Sequence, residues 1–449
     1  MKHAFPSLRQ LAEQLQRGQL SSEQLASDCL ARAADPRGEG QRVFIDLKPD
    51  QVLEQARQAD RLRAAGKAGP YAGIPVSIKD LFDVKGEVTR AGSTLLADQP
   101  PAEHDATCVA RLRNAGMVLM GRTNMTEFAY SGLGLNAHYG TPKNAFDRET
   151  GRIPGGSSSG AAISVTDGMA AIGLGSDTGG SCRIPAALNG LVGFKSTASS
   201  IPQEGGYPLS VHLDSYGGIG QAVDCCAILH NMMSQQAFPL DEFVNLQGLR
   251  IGLPQRYVLS GMDEHVARHF EATLQKLARA GVVFVEQPFD EFDELPAINA
   301  KGGFPAYEAY QRSQHWLATR LDEFDPRVSV RIQKGAQQTA ADFAQLQRDR
   351  QDWIQRVNAR FDGFDFIAMP TVPRVAPTLA ELADDDAYGF ANLLMLRNPT
   401  VINFLDGCSI SLPCPVQDGL PVGLMVSARH GEDRRLLALA RSLEAALLR

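Results

Sequence analysis

Three separated stretches of the chain gather residues able to hold and pass a proton: "GIPVSIKDLFDVKG" (73–86), "PGGSSSGAA" (154–162) and "GLGSDTGGSCRIPAALNG" (173–190). The last two set serines among glycines, which let consecutive backbone N–H groups converge on one point. Such a nest can hold a phosphate or the oxyanion of an acyl-transfer intermediate, and a plain flexible loop is the third reading. Neither stretch matches GxxxxGK[ST], which argues against a phosphate loop. A reactive serine then needs a base, and neither stretch contains a histidine.

"GSSSG" (156–160) satisfies GxSxG and would make Ser158 the nucleophile of a Ser-His-acid enzyme. That mechanism requires a late histidine, and the last of nine, His430, lies in the polar segment "SARHGED". The motif also lacks a clean strand before it, since "ETGRIPGG" is broken by proline and glycine. This reading is rejected. A lysine serves as base when burial keeps it neutral. Of the ten lysines none follows a serine by three positions, so the SxxK arrangement is absent. Lys79 alone ends an apolar run, "GIPVSIKD". From that segment alone the favoured reading is a strand-end lysine paired with Asp80 or Asp83.

The elements around these stretches alternate. "GIPVSI" (73–78), "MVLMG" (117–121), "AAIGLGS" (170–176) and "LVGF" (191–194) read as strands, with "DATCVARLRNAG" (105–116) a helix between two of them. Further strands are expected at "LRIGLP", "VVFVEQ", "FIAMPT", "CSISLPC" and "LPVGLMVSA". The first seventy residues read as helices, with Ser21 and Gln24 as a capping pair and Asp50 as the cap of a helix ending near Gly66. A long polar helical stretch over about 300–361 is expected to cover the sheet, with Trp316 and Trp353 packing within it. This pattern predicts an α/β domain around a largely parallel sheet, with the catalytic core at 71–240.

Together the three stretches resemble the amidase signature family, and weaker matches through "GRTNMTEFAYSG", "HYGTPKNAF" and "GLPVGLMVSA" extend the likeness over the whole chain. The resemblance implies a single α/β/α sandwich over residues 1–449 around a large mixed sheet, and a Ser-cisSer-Lys triad. By the match Ser181 is the nucleophile, Ser157, twenty-four residues earlier and after a cis peptide bond, is the bridge, and Lys79 is the base. The N–H groups of Thr178, Gly179, Gly180 and Ser181 would form the oxyanion hole. Ser158 would support Lys79 by a hydrogen bond, Asp177 and Arg183 would pair to hold the loop, and Tyr130 would lie at the acyl pocket, with a core tyrosine an equal reading. Cys182 stands where an aliphatic residue is common and reads as a small buried filler.

The implied activity is hydrolysis of the C–N bond of a small linear carboxamide, without metal or cofactor. Two other readings stand beside it: the glutamine-hydrolysing component of a tRNA-dependent amidotransferase (its A subunit), and a non-catalytic member that keeps the fold. A net charge of −7 argues against a nucleic-acid surface. The opening "MKHAFPSLRQ" has no signal-like apolar core and no run approaches a membrane span, so neither export nor membrane insertion is expected. Seven cysteines without a CxxC pair fit a reducing cytoplasm. "HVARH" (265–269) lacks the glutamate of HExxH and is not read as a metal site. A homodimer is the expected oligomer, if any forms.

Overall fold

Apolar residues in short runs, two faces buried, set the strands of the computed structural model, which describes residues 5–448. They are β1 (Phe44–Asp46), β2 (Pro75–Lys79), β3 (Val118–Thr123), β4 (Ile172–Asp177), β5 (Val192–Lys195) and β6 (Ser215–Gly220) in the first half. The second half adds β7 (Arg250–Pro254), β8 (Val283–Gln287), β9 (Phe366–Pro370), β10 (Cys408–Pro413) and β11 (Gly423–Ala428). All join one sheet in the order β1-β3-β2-β4-β6-β5-β10-β11-β9-β7-β8. The first six strands thus come from the first half of the chain and the last five from the second, and the two sets meet only where β5 pairs with β10.

The sheet is mixed, as expected, but less parallel than the strand–helix alternation implies. β2 runs parallel to β3 and β4, and β7 to β8 and β9. The remaining neighbours, including every pair in the stretch from β4 to β9, are antiparallel. Two strands escaped the sequence reading. β1 is three residues long, and β6, "SYGGIG", lacks the branched residues that mark strands. Its glycines are required by proximity: a Cβ on Gly217 would stand 1.8 Å from the Phe194 carbonyl oxygen.

Alternation along β9 shows the layers. Phe366 and Ala368 pack with Leu436, Leu439 and Leu443 of the C-terminal helix Asp433–Leu448. Ile367 and Met369 point the other way, to Trp353 and Val357 of the helix Ala340–Ala359 and Phe404 of the helix Asp385–Leu405. Helices therefore cover both faces of the sheet. The expected helical cover resolves into Gly303–Thr319, Pro326–Gln333 and Ala340–Ala359. Phe324, Val328 and Ile332 there pack in the cluster that holds Phe82 and Phe128. Trp353 is fully buried with Nε1 donating to the Glu291 carbonyl at 2.6 Å, and Trp316 is half-buried.

At the N-terminal end, Ser21 caps the helix Ser22–Ala34 by accepting from the Gln24 N–H. Asp50 is not a cap. The helix starts at Pro49, whose ring presets the helical φ and whose missing N–H costs nothing in the first turn, which leaves Asp50 inside that turn. Among the described residues no helix is long and apolar enough to cross a membrane.

Candidate active site

Two parallel neighbours, β2 and β4, bring the chemistry together because both end at the same edge of the sheet. β2 ends in Lys79 and β4 in Asp177, after which the chain enters the loop 178–182. Lys79 is fully buried, and its Nζ lies 2.7 Å from Ser157 Oγ and 2.8 Å from Ser176 Oγ. Among the described residues it makes no ion pair: Asp80 binds Arg122, and Asp83 accepts from the Thr89 hydroxyl. Burial pulls the Lys79 ammonium down to about 8, against the pull of nearby Asp177 and Asp214. The snorkelling reading, which required a carboxylate partner, does not describe this side chain.

Ser157 follows a cis peptide bond from Gly156. It is held from both sides: its carbonyl accepts the Thr126 N–H at 3.1 Å, while the Gly156 N–H donates to the Gly132 carbonyl at 2.8 Å. Ser181 is brought to the same place through the backbone, its carbonyl accepting the Ser158 N–H at 3.3 Å. Ser181 keeps 2% of its surface exposed, and Ser157 and Lys79 keep none.

The loop that carries Ser181 is fixed by a buried ion pair. Arg183 donates through Nε and Nη2 to the two oxygens of Asp177 at 3.0 and 2.8 Å. Asn403 completes the arrangement, accepting from Arg183 at 2.6 Å and donating to Asp177 at 3.0 Å. Burial alone would raise the Asp177 carboxyl, but the Arg183 charge and hydrogen bonds, with Lys195 and Asn403, hold it well below the usual range. Gly180 has φ +118°, and a Cβ there would stand 2.6 Å from that of Pro399.

Two expectations need correction. Ser158 does not bond Lys79: its hydroxyl turns to the Ser176 carbonyl at 3.3 Å, and the second hydroxyl on the amine is that of Ser176. Gly180 does not offer its N–H to the site, because Asp177 Oδ1, a buried carboxylate oxygen, takes it at 2.8 Å. The N–H groups of Thr178, Gly179 and Ser181 find no acceptor among the described residues. Cys182 is buried with its thiol pushed well up by burial, as suits a packing residue. Tyr130 is buried under the Arg331 guanidinium, 4.6 Å from its ring centre, on the segment 126–132 that holds Ser157.

Ser176, Asn403 and Asp214, whose Oδ1 accepts the Thr178 hydroxyl, are the residues that sequence reasoning missed. Only Ser176 carried a signal, as the one serine of a strand beside the lysine strand. The rejected histidine is far from this chemistry: His430 is exposed and pairs with Asp406 at 3.0 Å. His265 turns to the Leu420 carbonyl at 2.8 Å.

Comparison with known proteins identifies the family. The Amidase family model matches residues 30–437. The chain is 33% identical to the 2-amino-5-chloromuconic acid deaminase of Comamonas testosteroni, covering 99% of this chain and 97% of that protein. It is 32% identical to the A component of the glutamyl-tRNA(Gln) amidotransferase of Pseudomonas putida strain W619, over 97% and 96% of the two chains. Among solved structures, an amidase crystal structure superposes with a TM-score of 0.88 at 29% identity, over 98% of this chain and 100% of the other. The chain belongs to the amidase signature family, whose members here are hydrolases of C–N bonds.

Proposed function

We propose that the protein is an amidase that hydrolyses a small carboxamide to a carboxylate and ammonia or an amine through an acyl-enzyme on Ser181. The observation that carries this reading is a fully buried, ion-pair-free Lys79 with Nζ 2.7 Å from Ser157 Oγ. A neutral amine there accepts the Ser157 proton as Ser157 takes that of Ser181, and the Ser181 oxygen bonds to the amide carbon. The carbonyl oxygen becomes an oxyanion facing the Thr178, Gly179 and Ser181 N–H groups. Collapse breaks the C–N bond, and the proton returns from Lys79 through Ser157 to the leaving nitrogen. Water, deprotonated along the same path, then releases the acid and frees Ser181. The free, buried cysteines support a reducing compartment such as the cytoplasm.

The test is turnover with folding checked separately. Ser181→Ala and Lys79→Ala should each lower ammonia release from the best amide in a panel of acetamide, benzamide, indole-3-acetamide, malonamate and biuret by about a thousandfold or more. Both should keep the native circular dichroism spectrum, and a fluorophosphonate should label the wild type at Ser181. Wild-type turnover in Lys79→Ala would sink the scheme. The similarity to the amidotransferase component favours a second reading, glutamine hydrolysis within a complex. Glutaminase activity that appears only with added partner proteins would select it.

A further inference from the structure

Asp214 is a buried carboxyl group that the reaction scheme leaves unused. It stands one residue before β6 and is 4% exposed. Its Oδ1 accepts the Thr178 hydroxyl at 2.5 Å, and its Oδ2 accepts the N–H groups of Leu209 and Ser210 at 3.0 and 3.2 Å. The next residue, Ser215, donates its hydroxyl to the Asp177 carbonyl at 2.9 Å. Two adjacent side chains therefore fasten the stretch Asp177–Thr178, where β4 gives way to the nucleophile loop. The far side of the same segment is tied to the helical cover. His212 Nδ1 meets the Glu308 carboxylate, its Nε2 lies 2.9 Å from Gln347 Nε2, and Arg350 donates to its carbonyl at 3.0 Å.

We infer that Asp214 is a positioning residue: its carboxylate holds Thr178 and so aims the Thr178 and Gly179 N–H groups at the oxyanion. The inference rests on the proposed function. With Gly180 turned to Asp177, two of the three available donors sit at or directly after the residue that Asp214 grips. Oxyanion stabilisation depends on donors fixed in advance along the right direction, so a loosened Thr178 costs turnover more than binding.

The charge on Asp214 supplies a readout. Lys79 on β2, Tyr216 on β6 and Glu308 on the helix Gly303–Thr319 act on it, and Glu308 is itself bonded to His212 on the loop before it. Burial, with Glu308 adding to it, raises the carboxyl to about 6 against the Thr178 hydroxyl and the two N–H groups. The group is charged at neutral pH and takes a proton below that value. A protonated oxygen loses part of its capacity for the three donors, so the loop loosens on the acid side.

The experiment uses the full chain and the amide turned over fastest in the panel above, from pH 5 to 9.5, with rates counted per site titrated by a fluorophosphonate. In the wild type, log kcat/KM should fall with slope one between about pH 8 and 6 and with a steeper slope, between one and two, from there to pH 5. Asp214→Asn should lower kcat about ten- to a hundredfold with KM within about threefold, and should show slope one throughout. Thr178→Val should lose the same break and Thr178→Ser should keep it, which covers the case in which Asp214→Asn does not fold. A purely structural Asp214 would lower the melting temperature and the count of titrated sites yet leave the break in place. A break that survives in Asp214→Asn, or a kcat within about twofold of wild type, overturns the inference. If Ser181→Ala is inactive and the wild type is labelled, that failure touches Asp214 alone; an unlabelled Ser181 removes the underlying scheme as well.

Discussion

A primary amine at the end of a buried strand, with two hydroxyls against it and no carboxylate, is held close to the point where it loses its proton. Lys79 is that amine, drawn down to about 8 chiefly by burial. The sign of the pH dependence follows. In the proposed scheme the base must be neutral, the neutral fraction grows as pH rises through about 8, and kcat/KM should therefore climb on the alkaline side and level off above it. Ser176 sharpens the test. A hydroxyl that accepts from the ammonium favours the charged form, so Ser176→Ala should move the midpoint below that of the wild type while lowering kcat through looser aim of Nζ. A pH profile of kcat/KM for both proteins measures each effect, and a midpoint that rises in Ser176→Ala contradicts the role given to its hydroxyl.

At the scale of elements, the loop that carries the proposed nucleophile Ser181 depends on one ion pair that the proposed scheme does not use in chemistry. Asp177 and Arg183 are both fully buried and bonded through two parallel contacts, with Asn403 reaching in from a helix more than two hundred residues later. Arg183→Met leaves the Asp177 charge in the interior without its partner, and urea unfolding should show a loss of about 3–5 kcal/mol. Because the folded carboxyl is held below its unfolded value, the pair's contribution is complete above about pH 4 and is lost as pH falls toward the lowered value. The sequence made Asp177 and Arg183 legible because they flank the glycines, and Lys79 legible because it ends an apolar run. It could not show Asn403, whose role is created by packing, nor that Gly180 spends its N–H on Asp177. Both facts depend on where a side chain or peptide turns, which neither spacing nor residue type encodes.

Across the whole molecule, nine of the eleven strands were readable from apolar runs, while glycine-rich β6 and three-residue β1 were not. Strand direction was the harder property. Helix-sized connections suggest parallel neighbours, yet most neighbours here are antiparallel, since the sheet order interleaves strands far apart in sequence. The helical cover bears on stability as a whole through Trp353, which fills the space between β9 and the helix Asp385–Leu405. Trp353→Ala should cost about 3–5 kcal/mol of unfolding free energy, read from a chemical melt, without moving the pH midpoint of activity.

The single junction between β5 and β10 has a consequence for how the chain is made. Lys79, Ser157, Ser176 and Ser181 all emerge from the ribosome more than two hundred residues before β10 does. Until then β5 is an unpaired edge, with apolar Val192 and Phe194 and a row of free backbone groups open to any passing strand. Synthesis thus leaves an interval in which the proposed catalytic groups exist but the edge of their half of the sheet is unguarded and open to wrong pairing.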